Sequence, residues 1–298
     1  MPATQFACPD CTVVPITSCL NACKNKERCM FKPTLVSIAK QLERKTDLPT
    51  VTELLNCTRE SYLKRTTEYA VSPQDQIFAL LGSGVHQIHV SAENDSLCET
   101  RIFDEELGIS GQPDVFGNIM YDGSSLGDYK VVGSYAMSRA LGYRREEVET
   151  GEYFKSGLRK GMPKTKKVWR DDGVKFIMPY ALQLNIYRLL LERKGHKVDS
   201  MYIEFICRDH GLQIARERNI DSPVKVIKIN KISNWWLERY IKAKVRRLNE
   251  ALKNNELPPI CSVKNRWGNR KCLGYCSVAD YCEYGASLKQ KLEVQKAA

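Results

Sequence analysis

The sequence predicts an α/β protein, a mixed central sheet flanked by helices, with a cysteine-rich metal-binding region at each end. Three observations carry this. The residue periodicities run helix, three short strands, helix, strand along the middle of the chain. A long amphipathic helix follows, with Leu237, Ile241, Val245, Leu248 and Leu252 on one stripe. Nine of the twelve cysteines fall in two stretches near the ends. The expected division is a cysteine-rich N-terminal appendage over 1–35, a core over 36–258 and a C-terminal cysteine region over 259–298.

The elements follow in order. The first stretch reads as loop-dominated. Ser72 and Pro73 start a helix that runs through "IFALLGSGVHQIHV" and carries His86 near its far end. Three strands separated by Gly- and Asp-rich turns come next, with Asp114 in the second and Asp128 and Lys130 in the third. Residues 133–174 read as irregular. Lys155 to Arg170 holds seven Lys or Arg and no acid, which predicts an exposed basic loop. Pro179 opens a helix closed by Gly195, "SMYIEFICRD" and "SPVKVIKI" are strands, and Ser233 starts the long amphipathic helix.

Lys and Arg outnumber Asp and Glu by 46 to 35, giving a net charge of +11. Such a balance favours a polyanionic partner, nucleic acid first. The chain has no apolar run long enough to span a membrane and no secretory leader at its start. The expected setting is intracellular, cytoplasmic and reducing, where clustered thiols hold metal more often than they pair.

The two cysteine groups share a spacing, Cys19-x3-Cys23-x5-Cys29 and Cys272-x3-Cys276-x5-Cys282. Three thiolates on a short loop can converge on one metal centre, with a fourth supplied from elsewhere. For the late triplet the fourth is Cys57 or Cys261. For the early triplet it is Cys8 or Cys11, and zinc is the default metal there.

Asp128 and Lys130 lie two apart on a strand and so share a face. An isolated Asp-x-Lys is weak evidence, worth about 0–1 kcal/mol as a surface ion pair. Its company is more telling: His86 on a helix, Asp114 on the preceding strand, and Gln183 with Tyr187 four apart on the next helix. Two carboxylates and an imidazole suit Mg²⁺ or Mn²⁺. A lysine beside them suits hydrolysis of a phosphodiester.

The motifs "GSGVHQ", "GQPDVFG", "GDYKVV" and "QLNIY" resemble successive motifs of the PD-(D/E)XK nuclease superfamily, in its RecB-like branch, over about residues 50–285. The resemblance implies a restriction-endonuclease-like core and a Mg²⁺- or Mn²⁺-dependent deoxyribonuclease, an exonuclease on single strands or free DNA ends. It implies that His86, Asp114, Asp128 and the Tyr129 carbonyl bind the metal and that Asp114, Asp128 and Lys130 are catalytic. Gln183 and Tyr187 would contact DNA or support the site, and Lys160, Lys164, Lys166 and Lys167 are further candidate DNA contacts. "ELLNCTRESYL" is similar to a segment of the CRISPR-associated iron–sulfur exonucleases, which implies a [4Fe–4S] cluster on Cys57, Cys272, Cys276 and Cys282, with Cys261 the alternative fourth ligand and zinc the alternative metal. Cys8, Cys11, Cys19, Cys23 and Cys29 lie outside that pattern and form a candidate second metal site. Partners in recombination, repair, phage or CRISPR complexes would follow from the same resemblance. Two rival readings are a non-catalytic nucleic-acid-binding adaptor on the same fold and a metal-sensing or redox regulator built on the cysteines.

Overall fold

The computed structural model describes residues 3–92, 97–120 and 122–297. The N-terminal stretch is more ordered than a loop. It forms β1 (Gln5–Ala7), β2 (Val13–Pro15), α1 (Ile16–Asn21) and α2 (Lys32–Leu42). Phe6, Leu35 and Ile38 from this stretch are buried in a core shared with Tyr62, Leu63, Val71 and Leu248. Apolar residues too sparse to show a period here still find a core, because the partners come from distant segments.

The capping box of Thr50 and Glu53 starts α3 (Val51–Leu55). Next come α4 (Thr58–Thr66), which has Cys57 at its N-cap, and β3 (Ala70–Val71), which pairs in parallel with β1. The helix predicted after Pro73 is α5 (Ile77–Ala92), with His86 in its second half. The three predicted strands appear as a broken hairpin and one long strand: β4 (Leu97–Cys98), β5 (Ile102–Asp104), β6 (Ile109–Gly111), β7 (Val115–Gly117) and β8 (Ser125–Val132).

Residues 133–174 are not irregular. They contain α6 (Ser134–Leu141) and a ribbon of β9 (Tyr143–Tyr153) and β10 (Pro163–Asp171) that forms its own two-stranded sheet. The expectation counted the lysines and missed the acids that precede them. Across the ribbon Lys164 meets Glu152 at 2.9 Å and Lys167 meets Glu147 at 3.6 Å. Opposite charges facing one another across strands offset the repulsion that an isolated basic run would suffer.

The chain then forms α7 (Met178–Arg193), β11 (Ser200–Cys207), α8 (Gln213–Glu217), β12 (Val224–Lys228) and α9 (Asn234–Asn254). It ends in α10 (Arg270–Gly274) and α11 (Glu283–Ala297). The main sheet has the order β12-β11-β8-β7-β4. β11 runs parallel to β8, with Asp128 opposite Ile203 and Lys130 opposite Phe205, while β7 is antiparallel to β8. Parallel neighbours require a crossover, and the last element of that crossover is α7, buried along Leu184–Leu191. Gly127 permits the close approach of β7, since a Cβ there would meet Val115 Cγ1 at 2.8 Å.

Asn185 fixes α7 against the segment after β12. Its amide donates to the Ala181 and Asn230 carbonyls, and its oxygen accepts from Ile232 N–H at 2.7 Å and from Arg188. The residue is fully buried. Asn185→Leu should therefore cost about 2–4 kcal/mol, because it strands several buried polar groups at once. Urea unfolding monitored by circular dichroism measures this; an unchanged midpoint would show that water takes over these bonds.

Candidate active site

The site lies where β8, the β4–β7 hairpin, α5 and α7 meet. Asp128 and Lys130 project from one face of β8, as the period of two requires. Asp128 is 1% exposed. Lys130 Nζ lies 2.5 Å from its Oδ2; apart from that ion pair, neither carboxylate oxygen has a hydrogen-bond partner among the described residues. A buried carboxylate with so few partners is the kind of group that a catalytic or ion-binding role explains. Burial works against the charge on Lys130, but Asp128 and Asp114 outweigh it and hold its pKa above the ordinary lysine value. The ammonium also sits over the Tyr180 ring.

Asp114 lies between β6 and β7. Its Oδ2 accepts from the Tyr129 N–H at 2.8 Å. Burial, reinforced by the negative charge of Asp128, pushes its pKa up to about 7. In an extended strand a residue's N–H and C=O leave from the same edge. The Tyr129 carbonyl therefore faces the Asp114 side of β8. The Tyr129 ring is stacked by His89, with centroids 4.2 Å apart, and touched at its edge by His86.

His86 Nδ1 lies 2.7 Å from Glu99 Oε1 and 3.7 Å from Asp114 Oδ1. The Glu99 hydrogen bond is the main reason its pKa stands above the usual histidine value. Burial alone would raise the Glu99 pKa, but hydrogen bonds from His86 and Gln112 hold it below the ordinary range. Glu99 also takes a left-handed φ of 50°. That conformation costs roughly 1–2 kcal/mol in a non-glycine residue.

Sequence reading missed Glu99. The ligand atoms of His86, Glu99 and Asp114 lie within 4.8 Å of one another, while Asp128 stands outside that group, close enough to raise the Asp114 pKa. A signal did exist. β4–β7 and β5–β6 share one antiparallel register, which sets Glu99 opposite Asp114 and Arg101 opposite Gln112. Treating the first two strands as a single hairpin would have placed a second carboxylate at the site.

Other expected site residues fall differently. Tyr187 is buried, accepts a hydrogen bond from Gln183 at 3.0 Å, and has its pKa raised by burial and by Asp128. At 5% exposure it offers little surface to any ligand. Of the candidate DNA-contacting lysines, Lys164 and Lys167 are paired with acids on the ribbon, whereas Lys160 is exposed at its tip and Lys166 on one face.

The cysteines also need correction. Cys57 is not a free ligand: it forms a disulfide with Cys261, so the two alternative fourth ligands are bound to each other. Cys272, Cys276 and Cys282 are free and partly buried. Burial raises the thiol pKa of Cys272, and Cys282 is close enough to add to it. With the disulfide formed, this region offers three thiols, one short of a four-thiolate centre. At the other end, burial and then Cys8, Cys23 and Cys29 raise the Cys19 thiol pKa. Among the described residues no three of these sulfurs lie within 4.8 Å of one another, as the ligand atoms of His86, Glu99 and Asp114 do, and Cys11 and Cys29 are exposed.

No helix of the described residues is long and apolar enough to cross a membrane. No family model and no curated protein matches the chain. Among solved structures, the crystal structure of SSO0001 aligns with 85% of this chain and 94% of that chain, at 15% identity and a TM-score of 0.43.

Proposed function

We propose that this protein is a Mg²⁺- or Mn²⁺-dependent nuclease that hydrolyses DNA phosphodiesters at the Asp114–Asp128–Lys130 site, on a restriction-endonuclease-like core. The observation that carries the reading is Asp128, a buried carboxylate met among the described residues only by Lys130 and set beside a histidine and two further acids. Oxygen donors with one imidazole nitrogen fit a hard divalent ion. Such an ion, when bound, acidifies a water and offsets charge on the phosphate.

The chain's own residues supply the rest. Glu99 orients His86 through Nδ1, and Gln112 in turn holds Glu99. Asp128 and Asp114 keep Lys130 charged, so its ammonium can neutralise charge growing on a phosphate oxygen. Tyr187 and Gln183 brace the floor beneath Asp128. An adaptor that only binds nucleic acid has no need of a lysine buried beside two acids.

A proton on Asp114 competes with a cation for the same carboxylate, so affinity rises with pH up to about 7, the value to which Asp114 is raised. Calorimetric titration with Mn²⁺ should give roughly tenfold tighter binding at pH 7.5 than at pH 6. An affinity independent of pH over that range would remove Asp114 from the metal site. Cleavage of end-labelled single-stranded and duplex DNA with Mg²⁺ or Mn²⁺ tests the activity itself. No cleavage of either by metal-loaded protein would sink the reading.

For the cysteines, we propose a zinc site on Cys8, Cys19, Cys23 and Cys29. An iron–sulfur cluster on Cys57, Cys272, Cys276 and Cys282 requires the Cys57–Cys261 bond to be reduced. Iron, sulfide and zinc analysis of protein purified under reducing, anaerobic conditions decides between cluster and zinc.

A further inference from the structure

The β9–β10 ribbon stands apart from the main sheet as a two-stranded sheet of its own. Its root is fixed to the body of the protein. It follows β8 through α6 and leads into α7, whose Tyr180 ring lies under Lys130. Trp169 meets Tyr135 edge-on at 5.7 Å, Arg218 stacks on both rings, and the Asn219 amide donates to the Trp169 carbonyl. At about 3.3 Å per residue, strands of this length reach roughly 30 Å.

The register separates the ribbon's two faces. Trp169, Lys167 and Thr165 share one face with Arg145, Glu147 and Glu149, so the face seated on the body at its root carries mixed charge. The other face holds Arg144, Lys166 and Arg170, with Val148 and Val168 between them; its Glu146 reaches Arg170 at 3.9 Å, and Glu152, further out, pairs with Lys164. Beyond the paired strands, the turn "FKSGLRKGM" over 154–162 adds Lys155, Arg159 and Lys160 and no acid. Leu158 at its apex is fully exposed. Where an acid stands across the strand, the cation is neutralised locally; the outer face and tip are where positive charge accumulates.

We infer that this ribbon is an arm that grips the sugar–phosphate backbone of the nucleic acid beside the cleavage site, through Lys155, Arg159 and Lys160 at its tip and Arg144 and Lys166 on its outer face. The inference takes its substrate class from the nuclease reading. Charge complementarity selects the occupant: a paired β-ribbon with cations on its outer face suits a polyanion, and its width suits a duplex groove. A protein partner would not need so uniform a charge.

The test measures binding without cleavage, so it stands apart from the catalytic reading. Fluorescence anisotropy in EDTA compares wild type, the tip variant Lys155→Ser/Arg159→Ser/Lys160→Ser, and the inner-face variant Arg145→Ser/Lys167→Ser on a labelled 30-mer single strand and a 30-base-pair duplex. Each lost phosphate contact should lower the slope of log affinity against log salt by about 0.7 on single strands or about 0.9 on duplex. The tip variant is therefore expected to lose roughly 2–3 units of slope and about tenfold or more in affinity on at least one of the two substrates. The inner-face variant, whose Lys167 faces Glu147, should lose less than about one unit of slope. Whichever substrate shows the larger change identifies the bound form. Equal slopes for wild type and tip variant on both substrates would overturn the arm, as would equal losses in both variants. Thermal melts of all three proteins confirm that the tip change leaves the fold intact. If wild type binds with the expected slope yet cuts nothing with Mn²⁺, the catalytic reading fails and the arm survives.

Discussion

Lys130→Ala should abolish cleavage and also cost about 3–5 kcal/mol of stability, because it leaves Asp128 as a buried carboxylate with its one charge partner removed. Asp128→Asn should abolish cleavage just as fully at a smaller cost in stability, because Asp114 still faces the Lys130 ammonium that loses its nearer partner. Removing that charge relieves Asp114, whose raised pKa owes part of its shift to Asp128. The paired change Asp128→Asn/Lys130→Met should then recover most of the stability lost in the lysine variant, without recovering activity. Urea unfolding in EDTA, set beside cleavage of end-labelled DNA, separates the two effects. A Lys130→Ala protein that cuts DNA normally would show that the reaction runs elsewhere on the molecule. One that unfolds at the wild-type midpoint would show that Asp128 is protonated or hydrated in its absence.

Glu60→Ala should be the next most damaging change. Glu60 is 5% exposed and bridges Lys64 at 2.7 Å and Lys271 at 2.6 Å, joining α4 to the C-terminal cysteine region. Its removal takes the carboxylate from between two partly buried ammonium groups, at a cost of about 3–5 kcal/mol. The same bridge gives a pH signature. Burial pushes the Glu60 pKa up, but Lys64 and Lys271 outweigh it and hold it below the ordinary 4.5. The bridge therefore contributes in full above the unfolded value and is lost as pH falls through the lowered folded one. Thermal melts from pH 7 down to pH 3 should show wild type losing stability below about pH 4.5, with the Glu60→Ala curve flatter over the same range. Parallel curves would mean that Glu60 is protonated already, or that the region is held by its other contacts.

The elements legible in the sequence were those with a period of their own. The stripe on α9, the alternation on β8 and β11, and the Pro and Gly that bound α7 each follow from local chemistry, and the structure has them where expected. Asp114, Asp128 and Lys130 were legible because strand alternation and order along the chain bring them together. What stayed hidden depended on pairing between segments. Glu99 becomes a site residue only through the register that sets it opposite Asp114. The ribbon was hidden because its lysines are balanced by acids on a strand that precedes them. The bond between Cys57 and Cys261 joins the two residues that spacing offered as alternatives, and no local pattern could say that they meet.

That bond has a topological consequence. Residues 57 and 261 are 204 apart in sequence, so the covalent link makes almost the whole core a closed ring. The main sheet, the site and the arm all lie on its circumference. A single break anywhere on that circumference, including the exposed turn at 154–162, opens the ring but releases neither piece. While the bond holds, an interrupted chain remains one molecule, and only a reductant turns the interruption into a separation.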